Sequence, residues 1–151
     1  MPELSPRRAD TLEIASALNA WMQIAADGEE AYARDALRVH DAGLKTLFED
    51  KSQERARFLS ALTSALLRIG AYAEEREAAP AAVGIATEHG DRALVLAWIG
   101  RERAAVAACR AILERTPLHV FREDLRAMLA GQYATIVADR ELARRQLGLT
   151  P

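Results

Sequence analysis

Cysteine is almost missing: Cys109 is the only thiol in 151 residues, so no intramolecular disulfide can form and the fold has to hold by packing. Aromatic residues make up only 5% of the chain, prolines number five, and lysine occurs twice against eighteen arginines. That arginine excess reads as the base composition of a genome rather than selection for planar, bidentate contacts. Charge of one sign is lacking too: 20 basic and 22 acidic residues leave a net charge of −2, without the positive excess that nucleic-acid backbones require. No apolar run approaches the ~20 residues of a membrane-spanning helix, and the start Met-Pro-Glu-Leu-Ser-Pro-Arg-Arg lacks the apolar centre of a signal peptide. The absences therefore predict a cytoplasmic protein that engages neither nucleic acid nor membrane.

Alanine and leucine are plentiful. Thirty-two alanines and nineteen leucines supply a third of the residues, whereas valine, isoleucine and threonine together give twenty, a balance that favours helices over strands. Half the residues are apolar in a chain of 16.5 kDa, enough for one full core and one domain over 1–151. Apolar steps of three and four residues predict an all-α chain with helices over about 9–39, 42–70, 91–116 and 118–147. Asp41 is expected to cap the second helix and Gly70 to stop it; Asp91 is expected to cap the third, and Pro117 separates it from the fourth. Two links are short and the one over 71–90 is long. That pattern predicts two antiparallel hairpins joined by a crossover running the length of a bundle.

Polar residues interrupt the apolar stripes. Glu29 continues the row Leu18, Met22, Ala25; Glu54 lies between Leu47 and Ala61; Glu102 follows Trp98 and Ile99; Gln132 sits between Leu129 and Ile136. Counting from the loops places all four near mid-bundle, since Glu102 is fourteen residues before Thr116 and Gln132 fourteen after Leu118. Buried carboxylates are costly unless paired, protonated or bound to a metal. One reading is structural, with Arg55 or Arg57 pairing with Glu29 or Glu102 and Gln132 completing a hydrogen-bonded layer. A second makes Glu29, Glu54 and Glu102 ligands for iron or manganese, and a third turns the carboxylates out to water. Gly28, Gly100 and Gly131 adjoin these positions, where they admit close helix approach or leave room for arginine, or are tolerated surface sites.

In ferritin-like di-iron bundles two helices each contribute a Glu and the other two a Glu-x-x-His. Glu29, Glu54 and Glu102 match three of those carboxylates, but Arg57 stands in one histidine position, and Gln132 and Thr135 stand where the last Glu-x-x-His belongs. The stretch Leu18-Asn19 through Asp27-Gly28-Glu29-Glu30-Ala31-Tyr32, then Leu47-Phe48, Gln53-Glu54-Arg55 and Phe58, and finally Gln132-Tyr133 with Ile136, resembles a bacterial ferritin-like family of unknown function. The resemblance runs from about Leu12 to Leu147 and implies a four-helix bundle with no established activity.

Of the histidines, His40 and His89 are expected at one end of the bundle and His119 at the other, which rules out a three-histidine site. Cys109, on an apolar face, is expected to pack as a small hydrophobe. No nucleophile-base pair, phosphate-cradling glycine loop or coenzyme fingerprint is visible. The expected function is that of a non-enzymatic ferritin-like bundle without a cofactor, whose polar layer replaces a di-iron site. The alternatives are a carboxylate-ligated metal or redox protein and a helical adaptor or stress-response interaction protein. Trp21, Leu37, Val95 and Leu96, as apolar residues on more than one face, motivate a homodimer.

Overall fold

The computed structural model describes residues 6–71 and 90–150, with side chains from residue 11 onward. Four helices, α1 Pro6–Arg38, α2 Ala42–Arg68, α3 Gly90–Arg115 and α4 Glu123–Leu149, make up nearly all of it, with one 3-10 turn at Leu118–Val120 and no strand among the described residues. The long apolar periodicity is thus expressed as an all-α four-helix bundle.

The ends of α2 follow from local chemistry. Asp41 caps its start, the carboxylate accepting the Leu44 N–H at 2.8 Å. At its other end Gly70 takes φ +78°, and the N–H groups of Gly70 and Ala71 return to the carbonyls of Leu67 and Leu66, the paired bonds of a glycine-terminated helix. Asp91 does something other than expected. It lies in the first turn of α3, and its carboxylate accepts the backbone N–H groups of His40 and Asp41 at 2.7 and 2.8 Å. The start of α3 is therefore clasped to the α1–α2 turn.

This clasp fixes the topology. Arg68, at the far end of α2, lies 3.9 Å from Asp124 at the start of α4, so α2 finishes at the opposite end from where α3 begins. Helices α2 and α3 run parallel, and each hairpin is antiparallel. The expected crossover over 71–90 falls, apart from its two end residues, outside the described residues. Those two ends lie at opposite ends of the bundle, as a crossover topology requires.

The α3–α4 connection departs from expectation. Helix α4 begins at Glu123 rather than 118, because Pro117 leads into the 3-10 turn and Phe121 then drops into the core. Residues 116–122 thus form the link. The extra residues shift the register of α4 against α3, with consequences for the polar layer.

The core is in two parts. Toward the α3–α4 turn, Leu18, Trp21, Met22, Leu62, Leu66, Cys109, Leu129 and Ile136 belong to one apolar cluster. Toward the α1–α2 turn, Tyr32, Phe48, Leu94, Val95, Trp98 and Ala143 belong to another. Trp21 and Val95 are therefore spent inside the chain's own core and are not available to a partner, whereas Leu37 and Leu96 are 85% and 50% exposed. No helix among the described residues is long and apolar enough to cross a membrane.

Candidate functional site

Between the two clusters lies a layer of buried charge. Helix α2 carries Leu44, Phe48, Arg55, Leu62 and Leu66 on its buried side, a heptad stripe in which Arg55 holds the central place. Helix α4 buries Leu125, Leu129, Gln132, Ile136, Asp139 and Ala143 at alternating steps of three and four, so Asp139 falls on its stripe. On α3 Glu102 takes the corresponding place between Trp98 and Val106. Helix α1 supplies Gly28. A Cβ on that residue would stand 2.8 Å from Arg55 Nη1 and 3.3 Å from its Cγ, so the missing side chain gives the guanidinium its room.

The Arg55 head is 1% exposed, and its Nη2 donates to Glu102 Oε2 and to Asp139 Oδ2, each at 2.9 Å. Glu102 and Asp139 are themselves 2% exposed. The bonds continue on both sides. Tyr32 donates its hydroxyl to Glu102 Oε1 at 2.7 Å and accepts the indole N–H of Trp98 at 2.7 Å. Lys51 Nζ lies 2.7 Å from Asp139 Oδ1 and 3.4 Å from Glu54. Trp98, Tyr32, Glu102, Arg55, Asp139, Lys51 and Glu54 thus form one continuous chain of donors and acceptors across four helices. The Arg55 guanidinium also lies over the Tyr32 ring, 5.4 Å from its centroid.

These neighbours set the protonation states. Burial works against the Arg55 cation, but Glu102 and the bonds to both carboxylates raise its pKa above the ordinary arginine value. Burial pushes the Tyr32 hydroxyl strongly upward and the Glu102 charge adds to this, so the phenol stays a donor. Lys51 is raised because Asp139 and Glu54 outweigh its desolvation. Glu54 is raised by desolvation and the nearby Asp139, partly offset by Lys51.

The sequence-predicted residues divide sharply. Glu102 and Arg55 meet at the centre of the layer. Arg57, two residues on and about 200° around the helix at ~100° per residue, is exposed and takes no part in it. Glu54 is half-buried at the edge and reaches the layer through Lys51. Glu29 is half-buried; its carbonyl accepts the Ser52 hydroxyl at 2.9 Å, while Gly28 rather than Glu29 faces Arg55. Gln132 is buried one heptad away from the layer, accepting the Trp21 indole N–H at 3.0 Å. Its place at the Glu102 level is taken by Asp139, because the longer α3–α4 link starts α4 at Glu123 rather than 118.

Asp139 is the central residue that sequence reasoning misses, although its position on the α4 stripe was a usable signal. A second ion pair lies beside the layer, the half-buried Arg101 placing its Nη2 2.7 Å from Oδ2 of the buried Asp35. Of the histidines, His40 lies by Asp91 and His119 is exposed at the other end; His89 falls outside the described residues. Cys109 is fully buried among apolar side chains, and burial pushes its thiol up to about 12, which keeps it in the neutral form of a small hydrophobe. Gly100 and Gly131 have open space where a Cβ would be, unlike Gly28.

The residues present do not fit a di-iron group. Glu29, Glu54 and Glu102 do not converge, and among the described residues no three His, Cys, Asp or Glu side chains are placed to hold a metal ion. The two buried carboxylates that do converge, Glu102 and Asp139, are occupied by a guanidinium that would repel a cation.

Such a bundle, with hairpins in crossover order and a polar layer at mid-height, defines a ferritin-like domain. A crystal structure described as "ferritin like, diiron-carboxylate proteins from Bacillus anthracis str. Ames" is similar to it in fold, with a TM-score of 0.73 at 16% identity, covering 91% of this chain and 97% of that one. The sequence profile of a domain of unknown function, DUF2383, matches residues 13–115, and the chain belongs to that family. No curated protein is similar enough to count as a relative.

Proposed function

We propose that this protein is a non-enzymatic ferritin-like bundle whose mid-bundle ion-pair layer takes the place of a di-iron centre. The observation that carries the reading is Arg55 Nη2, 2.9 Å from both Glu102 and Asp139. In a carboxylate metal site the cation supplies the positive charge that lets carboxylates gather in a low-dielectric interior. Here a covalently attached cation supplies it, and Gly28 makes the space. Such a layer fixes the register of four helices, because sliding one of them by a turn would leave a buried charge unpaired. The protein is read as a cytoplasmic homodimer, with Leu37 and Leu96 as the exposed apolar residues that a partner copy would cover; analytical ultracentrifugation giving a monomer at high micromolar concentration would remove that part.

The similar fold of a Bacillus anthracis protein described as diiron-carboxylate supports a second reading, in which iron or manganese binds through Glu29, Glu54 and Glu102. It requires Glu102 to leave Arg55. Anaerobic titration with Fe(II) and Mn(II), together with elemental analysis of protein from metal-supplemented growth, separates the two. The ion-pair reading expects no stoichiometric metal in the native protein. Uptake at one or two equivalents that is lost in Glu102→Ala would establish the metal reading instead.

A further inference from the structure

Helices α1 and α3 do not close completely over the polar layer. A cavity of about 280 Å³ opens between them, lined by Asp27 and Gly28 on α1, by Arg101, Ala105 and Ala108 on α3, and at its inner end by Arg55. Small residues on both helices keep it open. The inner end is unusual because the Arg55 side chain is 1% exposed yet only its Nη2 is used by the two carboxylates; Nε is fully enclosed and has no hydrogen-bond partner, and Nη1 makes no hydrogen bond either. A buried donor left without an acceptor loses its hydration without replacement and is destabilising. Arg101 brings a second guanidinium to the same cavity; its Nη2 stands 2.7 Å from Asp35 Oδ2, which leaves Nε and Nη1 as its open donors, while both oxygens of Glu102 are already engaged by Tyr32 and Arg55.

The free hydrogen-bonding capacity at the inner end is therefore cationic donor, and the wall along α3 is alanine. The volume lies just below the ~300–1,000 Å³ of pockets that hold drug-sized ligands. Asp27 and Glu102 also line the cavity and repel a dianion such as sulfate or hydrogen phosphate about twice as strongly as a monoanion. We propose that this cavity binds a short-chain monocarboxylic acid, its carboxylate received by Arg55 Nη1 and Arg101 and its chain lying on Ala105 and Ala108. The site rests on the free donors of Arg55 and so on the ion-pair layer being in place.

Sodium butyrate titrated into isotopically labelled full-length protein, with EDTA throughout and sodium chloride at equal ionic strength as control, tests this. Saturable amide shifts centred on Gly28, Ala105 and Ala108 are expected with butyrate and not with chloride, sulfate or butylamine. Binding should weaken at least tenfold in Ala108→Leu, which fills the cavity from its half-buried outer wall, and severalfold in Arg101→Gln, both checked for wild-type helix content. Non-saturable shifts, equal shifts with chloride or sulfate, or unchanged affinity in Ala108→Leu would overturn the proposal. Uptake of Fe(II) in a separate EDTA-free sample, with butyrate still binding as described, would overturn the non-metal reading of the layer and leave the carboxylate site standing.

Discussion

The two apolar clusters on either side of Arg55 are built differently. The one toward the α3–α4 turn is largely aliphatic, with Leu18, Met22, Leu62, Leu66, Leu129 and Ile136 fully buried, and its polar contact is the Trp21–Gln132 bond. The one toward the α1–α2 turn centres on three aromatic rings, Trp98 meeting Phe48 edge to face at 5.2 Å and Tyr32 at 6.1 Å between centroids. Only the aromatic cluster bonds directly to the buried charges, since Tyr32 carries a hydroxyl to Glu102 while its ring stays in the apolar packing. An aliphatic side chain has no polar tip to offer. Tyrosine and tryptophan let an apolar core border a charge without leaving it unsatisfied.

The layer is thus joined to one core by hydrogen bonds and to the other mainly by packing, and the natural probe is the single tryptophan in each. Arg55→Ala is the strongest way to break the comparison. It leaves Glu102 and Asp139 buried and without their shared cation, for which a loss of about 3–5 kcal/mol is expected from truncating one partner of a buried pair. In Trp21→Phe and Trp98→Phe backgrounds, fluorescence reports the aromatic and the aliphatic core separately. The urea transitions of the two reporters should coincide with Arg55 present and separate in Arg55→Ala. A common transition in both proteins would show that the layer does not couple the cores.

A smaller effect is expected from the hydroxyl that makes the two cores different. Tyr32→Phe keeps the ring against Phe48 and Trp98 but leaves the Trp98 indole N–H and Glu102 Oε1 each short of a partner. The expected cost is about 1–3 kcal/mol in urea unfolding. A change of a few tenths would mean that the ring rather than the hydroxyl joins the aromatic core to the layer.

The difference between the cores also marks where the sequence was legible. Apolar periodicity, the Asp41 cap and the Gly70 stop are local signals, and they located the bundle because each depends only on residues within a turn or two. The polar layer depends on alignment between helices. Glu54 and Arg55 are adjacent, and a phase error of one residue on α2 exchanges the edge for the centre. Glu102 is legible because Trp98 and Val106 bracket it on one stripe, whereas counting from Leu118 puts Gln132 at its level in place of Asp139, since Pro117 and the 3-10 turn lengthen the link before α4. The sequence offers room for arginine at Gly28, Gly100 and Gly131 alike, and only the arginine that crosses from α2 to lie against Gly28 tells that one from the other two.

The aromatic core has one further tie that the aliphatic core lacks, the Asp91 clasp over its open end. Burial alone would raise the Asp91 carboxyl, but the N–H groups of His40 and Asp41 outweigh it and hold the carboxyl below the usual aspartate range. A carboxyl lowered in the folded state binds fewer protons there than in the unfolded chain. Its contribution is therefore present above the ordinary value of 3.8 and is lost as pH falls through the lowered one. Asp91→Ala should cost about 1 kcal/mol near neutral pH, the size of a lost helix-cap bond, and the difference from wild type should shrink as acid protonates Asp91. With Arg55 present the two tryptophan reporters should still share one urea transition at a lower midpoint, while amide exchange at His40 and Asp41, whose N–H groups lose their acceptor, quickens. Unchanged exchange there, or a difference from wild type that grows in acid, would place the stabilising role of Asp91 elsewhere than at this end of the bundle.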